Sequence, residues 1–85
     1  MSIDLAYLGA LRETLGRDGE RIDPPSHVLT VADLMAWMAG QGEPYASAFA
    51  DRAGIGAAVE AEMAGPDESI FGAREVAFFP PPGAL

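Results

Sequence analysis

The feature that most limits what this chain can fold into is its end. Glu75-Val76-Ala77-Phe78-Phe79 has the apolar, aromatic content of a strand and runs straight into Pro80-Pro81-Pro82-Gly83. A proline donates no backbone hydrogen bond and holds φ at about −65°, so strand pairing and α-helix both stop at Phe79. The last six residues, Pro80 to Leu85, should leave the body as an extended arm reaching outward at ~3 Å per residue. Because its φ angles are already set, inserting such an arm into a partner costs little ordering entropy. The chain divides accordingly into a body, residues 1–79, and an arm, residues 80–85.

The body has to be one small domain. Its residues 2–8 alternate, Ile3, Leu5 and Tyr7 on one side and Ser2, Asp4 and Ala6 on the other, which is the period of a strand. From Ala10 the pattern changes: Leu11 and Leu15 lie four apart among good helix formers, and Gly16 can stop the turn. Glu20 to Asp23 reads as a second strand closed by Pro24-Pro25. The clearest helix start is Thr30, with Asp33 three residues on. Its hydroxyl can cap a free backbone N–H while the acid sits at the positive end of the helix, although Glu or Gln is the preferred third residue. Val31, Leu34, Met35 and Met38 then form one apolar face that ends at Gly40. We expect that face to pack on a sheet containing Ile3, Leu5 and Val76. Trp37 lies off it and should cover neighbours such as Phe49, the alternative being contact with a partner. Residues 45–50 read as a helical turn, 51–56 as a loop, 56–60 as a strand and 65–68 as a turn. Strand, helix, strand, helix and further strands in so short a chain predict an α+β fold, with helices on one face of a mixed sheet.

Composition removes several functions. Thirteen acidic residues oppose five basic ones, all arginine, for a formal charge of −8. Such a surface does not neutralise a phosphate backbone, so nucleic acid is excluded as a partner. Without lysine there is no Schiff base and no phosphate-loop lysine. Without cysteine there is no disulfide, thiolate nucleophile or Cys-ligated zinc, and His27 alone cannot supply the usual three protein ligands of catalytic zinc. No basic leader and no apolar run long enough for a membrane span occurs, so a cytoplasmic protein is expected.

The remaining candidates are weak. Glu60 and Glu62 would share a strand face and could act as paired carboxylates for acid–base work or for a hard cation, but a solvated face accounts for them better. His27 lacks a serine and acid partner at any suggestive spacing. Gly54-x-Gly56 lacks the rest of a phosphate fingerprint. Nothing internal reads as catalytic, and no metal or bound cofactor is expected. The arm is the better candidate, and Phe78 and Phe79 at its root read as exposed anchors for a more basic partner.

Three segments carry a resemblance. Tyr7-Leu8-Gly9-Ala10-Leu11-Arg12-Glu13 after the first strand, Thr30-Val31-Ala32-Asp33-Leu34 opening a helix, and Arg74-Glu75-Val76-Ala77-Phe78-Phe79-Pro80-Pro81 resemble the small subunit of molybdopterin synthase, over essentially the whole chain. The last segment is the most specific, since the helix motif also occurs in the sulfur carriers of thiamine synthesis. The resemblance implies a ubiquitin-like β-grasp fold and a sulfur carrier in molybdenum cofactor biosynthesis. It also implies two partners: a large synthase subunit that takes the tail into its active site, and a ubiquitin-activating-like enzyme that uses ATP to adenylate the C-terminus, which then becomes a thiocarboxylate. Phe78, Phe79, Pro80, Pro81 and Gly83 would be the partner-binding tail, and Leu85 the residue in the sulfur-carrying place.

One departure matters. The family ends in Phe-Phe-Pro-Pro, two variable residues and Gly-Gly, whereas Ala84 and Leu85 stand where those glycines belong. A tail threaded through a narrow tunnel to a reacting centre has little room for Cβ atoms. Either the tunnel is relaxed for this chain, or fold and partner surface persist without sulfur transfer as a ubiquitin-like interaction module, or the working end is a different one.

Overall fold

Alternation decides how the sheet is built. A computed structural model describes residues 2–50 and 54–80. In β1 (Ile3–Tyr7) the large side chains of Ile3, Leu5 and Tyr7 are all buried, and Asp4 faces solvent. The chain continues through α1 (Ala10–Leu15), β2 (Gly19–Ile22), α2 (Val31–Ala39), α3 (Tyr45–Ala48), β3 (Gly56–Val59), β4 (Glu62–Ala64) and β5 (Glu75–Phe79). The strands form one sheet in the order β2-β1-β5-β3-β4. The central pair, β1 and β5, is parallel, and the other neighbours are antiparallel. This mixed sheet with its helices on one face is the ubiquitin-like β-grasp fold.

The helices form for local reasons. Gly16 ends α1 in the left-handed conformation at φ 72°, where its N–H donates to the Arg12 carbonyl; a side chain there would be strained. At α2 the Thr30 hydroxyl accepts from the Asp33 N–H at 3.1 Å, and the Asp33 carboxylate accepts from the Thr30 N–H at 3.2 Å. The capping box therefore closes with the shorter acid, which also accepts from the Leu29 N–H at 3.1 Å. These bonds hold the Asp33 carboxyl below its ordinary value. Val31, Leu34, Met35 and Met38 are all buried, as their spacing predicts.

Between helices and sheet lies one core, whose largest wholly buried side chains include Tyr7, Phe49, Phe78 and Leu34. The Phe49 and Phe78 rings meet edge to face, with centroids 5.3 Å apart and planes at 82°. Trp37 packs half-buried at the margin of this core.

Two expectations need correction. The strand expected through Glu60 stops at Val59, because Glu60 and Ala61 both take positive φ, 52° and 68°, in the two-residue turn that joins β3 to β4. Glu60 and Glu62 are therefore not two carboxylates on one strand face. The Glu60 carboxylate instead accepts from the backbone N–H groups of Arg74 and Glu75 at the start of β5. Those two donors hold it below its ordinary value. The second correction concerns Phe78, which is not exposed at the root of the arm. Its position in β5 opposite Ala57 and Tyr7 turns it to the helix side, where it is 0% exposed. Of the aromatic pair only Phe79 is left on the outer side.

Candidate functional site

The face of the sheet turned away from the helices is laid out by register. One residue from each strand falls into a row across it: Gly19, Ala6, Ala77, Ala58 and Met63. Four of the five have side chains of one carbon or none, so the row sinks into a shallow depression of about 240 Å³ around Ala6, Ala58 and Ala77. Met63 ends the row with three quarters of its surface exposed. Asp4 and Glu75 rim the depression on one side, and Asp4 is paired with Arg21, Nε to Oδ1, at 2.8 Å. The Arg21 side chain bonds the Asp4 carboxyl and keeps it below its ordinary value.

On the other side of the row lies the root of the arm. Gly56 pairs with Phe79, and the Phe79 ring lies across the position a Gly56 side chain would take. Beyond the last pairing of β1 with β5, the Leu8 N–H donates to the Phe78 carbonyl at 3.0 Å, and Pro80 then packs on Gly9. Of the residues expected to act, Phe79 and Pro80 thus sit half-buried at the edge of the bare face, while Phe78 belongs to the core. Pro81, Gly83 and Leu85 lie outside the described residues. His27 is exposed in a turn after Pro25. Among the described residues no three His, Asp or Glu side chains come together as metal ligands would.

The best-connected polar group was not legible beforehand. Glu20 projects from β2 to the helix side, where one carboxylate oxygen accepts from the hydroxyls of both Tyr7 and Tyr45 at 2.7 Å. The other oxygen accepts from Arg17 at 2.9 Å. Burial pushes the Glu20 carboxyl up, but the two tyrosines and the guanidinium outweigh it and leave the group below its ordinary value. Burial and the adjoining carboxylate raise the Tyr7 hydroxyl far above the usual tyrosine range. The cluster therefore exchanges no proton near neutrality. It ties β1, β2 and α3 together, beside a cleft lined by Ile22, Trp37 and Gln41.

The described residues thus offer a sheet face of small side chains next to the Phe79–Pro80 junction, and no catalytic constellation is assembled among them. The fold is that of the small ubiquitin-like β-grasp proteins. Among these, the chain belongs to the ThiS family, which it matches over residues 5–83. Its fold is similar to that of SAMP1 from Haloferax volcanii, at 22% identity over 100% of both chains and a TM-score of 0.72. A second structure of the small archaeal modifier protein 1 of H. volcanii gives 23% identity over 94% of this chain and 97% of that one, with a TM-score of 0.68. A putative molybdopterin converting factor, subunit 1, from Pyrococcus furiosus gives 22% identity over 95% and 98%, with a TM-score of 0.70. No curated protein matches the sequence.

Proposed function

We propose that this chain is the sulfur-carrying small subunit of a molybdopterin synthase, working in the cytoplasm and catalysing nothing by itself. The observation that carries the reading is the junction at the end of β5. Pairing runs to Phe79 and the proline arm begins beside the bare sheet face, so a larger subunit that covers the face meets the arm in the same encounter. The Arg74 to Pro81 segment that resembles the synthase subunit spans this junction. The reading entails two partners: the large synthase subunit, and a ubiquitin-activating-like adenylating enzyme that brings the ATP. In the charging step the terminal carboxylate attacks the α-phosphate of ATP and pyrophosphate leaves. Hydrosulfide then displaces AMP from the acyl carbon, giving a thiocarboxylate whose sulfur the large subunit can pass to the dithiolene. The chain contributes the atom that is transferred and a surface for docking; no cofactor is bound to it.

The test is intact-mass measurement after incubation with the cognate activating enzyme, ATP and sulfide. Near-attack geometry is sensitive to ~1 Å displacements, so side chains on Ala84 and Leu85 should slow the exchange of a terminal oxygen for sulfur, and Ala84→Gly/Leu85→Gly should convert at least ~10-fold faster. Equal rates for the two chains would remove the steric account and leave the carrier reading standing. Conversion of neither would favour the second reading, a ubiquitin-like interaction module without sulfur transfer, to which the replaced glycines and the likeness to the Haloferax modifier point.

A further inference from the structure

We propose that Gly56 and Gly9 are positioning residues for the arm, the first seating Phe79 and the second seating Pro80, and that together they set the direction in which the chain leaves β5. Its use in delivering a C-terminus to an activating enzyme rests on the function proposed above; the geometry does not.

At Gly56 the backbone gives no reason for glycine. The residue lies in β3 without a positive φ, where glycine is weakly disfavoured, so a strand glycine points to a close approach. The approach is the Phe79 ring: a Cβ on Gly56 would stand 2.7 Å from Cζ and 2.9 Å from Cδ2. Any side chain there displaces the ring. Gly9 is constrained twice. Its φ of 58° and ψ of −133° suit only glycine, and a Cβ would stand 3.1 Å from Cγ and 3.2 Å from Cδ of Pro80. Pro80 has no N–H with which to continue the ladder, so packing on Gly9 takes the place of the hydrogen bond that would hold another residue. Two consecutive residues are thus held from two different elements, β3 and the turn before α1. One contact would leave the chain free to swing about it; two fix a direction. By contrast, Gly16, Gly65 and Gly72 have nothing within 4 Å of where a Cβ would be.

That contrast supplies the controls. Gly56→Ala adds the contact without backbone strain. Gly16→Ala, at φ +72° with empty surroundings, adds strain without contact, and Gly65→Ala adds neither. In the isotope-labelled full chain we expect nuclear Overhauser effects from the Phe79 ring to Gly56 Hα and from Pro80 Hδ to Gly9 Hα. In Gly56→Ala the Phe79 and Pro80 signals should move and the Pro80–Gly9 effect weaken, while the Phe49–Phe78 effects persist. Absence of either contact in the unaltered chain overturns the proposal, as do Pro80 signals in Gly56→Ala that move no further than in Gly65→Ala. The second measurement is thiocarboxylation in the Ala84→Gly/Leu85→Gly background. There Gly56→Ala should lower kcat ~10-fold or more by misaligning the arm, without destabilising the fold beyond the effect of Gly16→Ala. An equal fall in both variants would make the seat merely structural and overturn the delivery role. Should the background chain itself fail to be charged, the sulfur-carrier reading falls and the spectra decide on the two glycines.

Discussion

The two faces of the sheet come from the same strands and hold opposite contents. Toward the helices, β1 and β5 present Ile3, Leu5, Tyr7, Val76 and Phe78, all buried. Away from them the same strands present Asp4, Ala6, Glu75, Ala77 and Phe79, none of them buried. Large side chains on the first face pack against α2 and hold the fold. On the second, Ala6 and Ala77 leave the shallow depression that Asp4 and Glu75 rim. The pair Phe78-Phe79 shows how sharply the division runs, since strand parity alone turns two identical neighbours to opposite faces.

The largest expected effect breaks or sustains that division directly. Truncating Phe78 to alanine removes a wholly buried ring from its edge-to-face contact with Phe49 and should cost ~3–5 kcal/mol, a large share of the stability of so small a domain. Phe79→Ala should cost far less, and should instead weaken any complex with the large synthase subunit measured by calorimetry at low salt. Denaturant unfolding of both variants is the check. Equal losses would mean that the outer face is as much a part of the fold as the inner one.

A smaller effect asks whether the row of small residues on the outer face is there for the surface or for the backbone. Gly19 and the alanines should differ. A Cβ on Gly19 would run into the Leu5 carbonyl oxygen and stand 3.3 Å from Ala6 Cα, atoms of the paired strand that cannot swing aside. Gly19→Ala should therefore loosen β2 from β1 at a cost of ~1–3 kcal/mol. Ala58→Ser, in the same row, should change stability by no more than about 0.5 kcal/mol. Melting temperatures of the two variants separate the cases. If Gly19→Ala melts with the unaltered chain, the glycine belongs with the alanines as surface.

The parts of this molecule that sequence foretold are those fixed by neighbours along the chain. Thr30 and Asp33 cap the helix between them, the apolar face of α2 comes from spacing, and Pro80 ends β5 whatever surrounds it. The parts that escaped depend on residues brought together from far apart. β4 is three residues long, and the turn that creates it uses Glu60 and Ala61 in a conformation more usual for Asn-Gly, so neither strand nor turn gave a local signal. Phe78 shares the covered side of Val76 by strand parity, so placing Val76 against the helices is already at odds with an exposed Phe78, and the sheet resolves the conflict in favour of alternation. Nothing in the local sequence explains glycine at positions 9 and 56 until the fold sets Pro80 over the first and Phe79 over the second. Glu20 reaches partners 13 and 25 residues away, beyond any motif.

Glu20 also supplies the smallest expected effect, and it compares acids on the two faces. At the edge of the inner face, Glu20 is held by Tyr7, Tyr45 and Arg17; on the outer face, Asp4 meets Arg21 in full solvent. Both carboxyls lie below their ordinary values in the folded chain. A depressed carboxyl contributes stability that is fully present above the unfolded value, 4.5 for Glu20, and is lost as pH falls through the lower folded value. Glu20→Gln should therefore lower stability near neutral pH by about 0.5–1.5 kcal/mol, the net worth of an intramolecular hydrogen bond, and the gap from the unaltered chain should close as the solution is acidified. Asp4, Asp33, Glu43 and Glu60 are lowered as well, so both chains still lose stability in acid, and only the difference between the two curves isolates Glu20. The matching curve for Asp4→Asn should be shallower and should flatten further with added salt, because an exposed ion pair is screened and a clasp of tyrosine hydroxyls is not. Melting temperatures across pH for the three chains give the answer. Two superimposable difference curves would mean that the tyrosine clasp is worth no more than a surface ion pair.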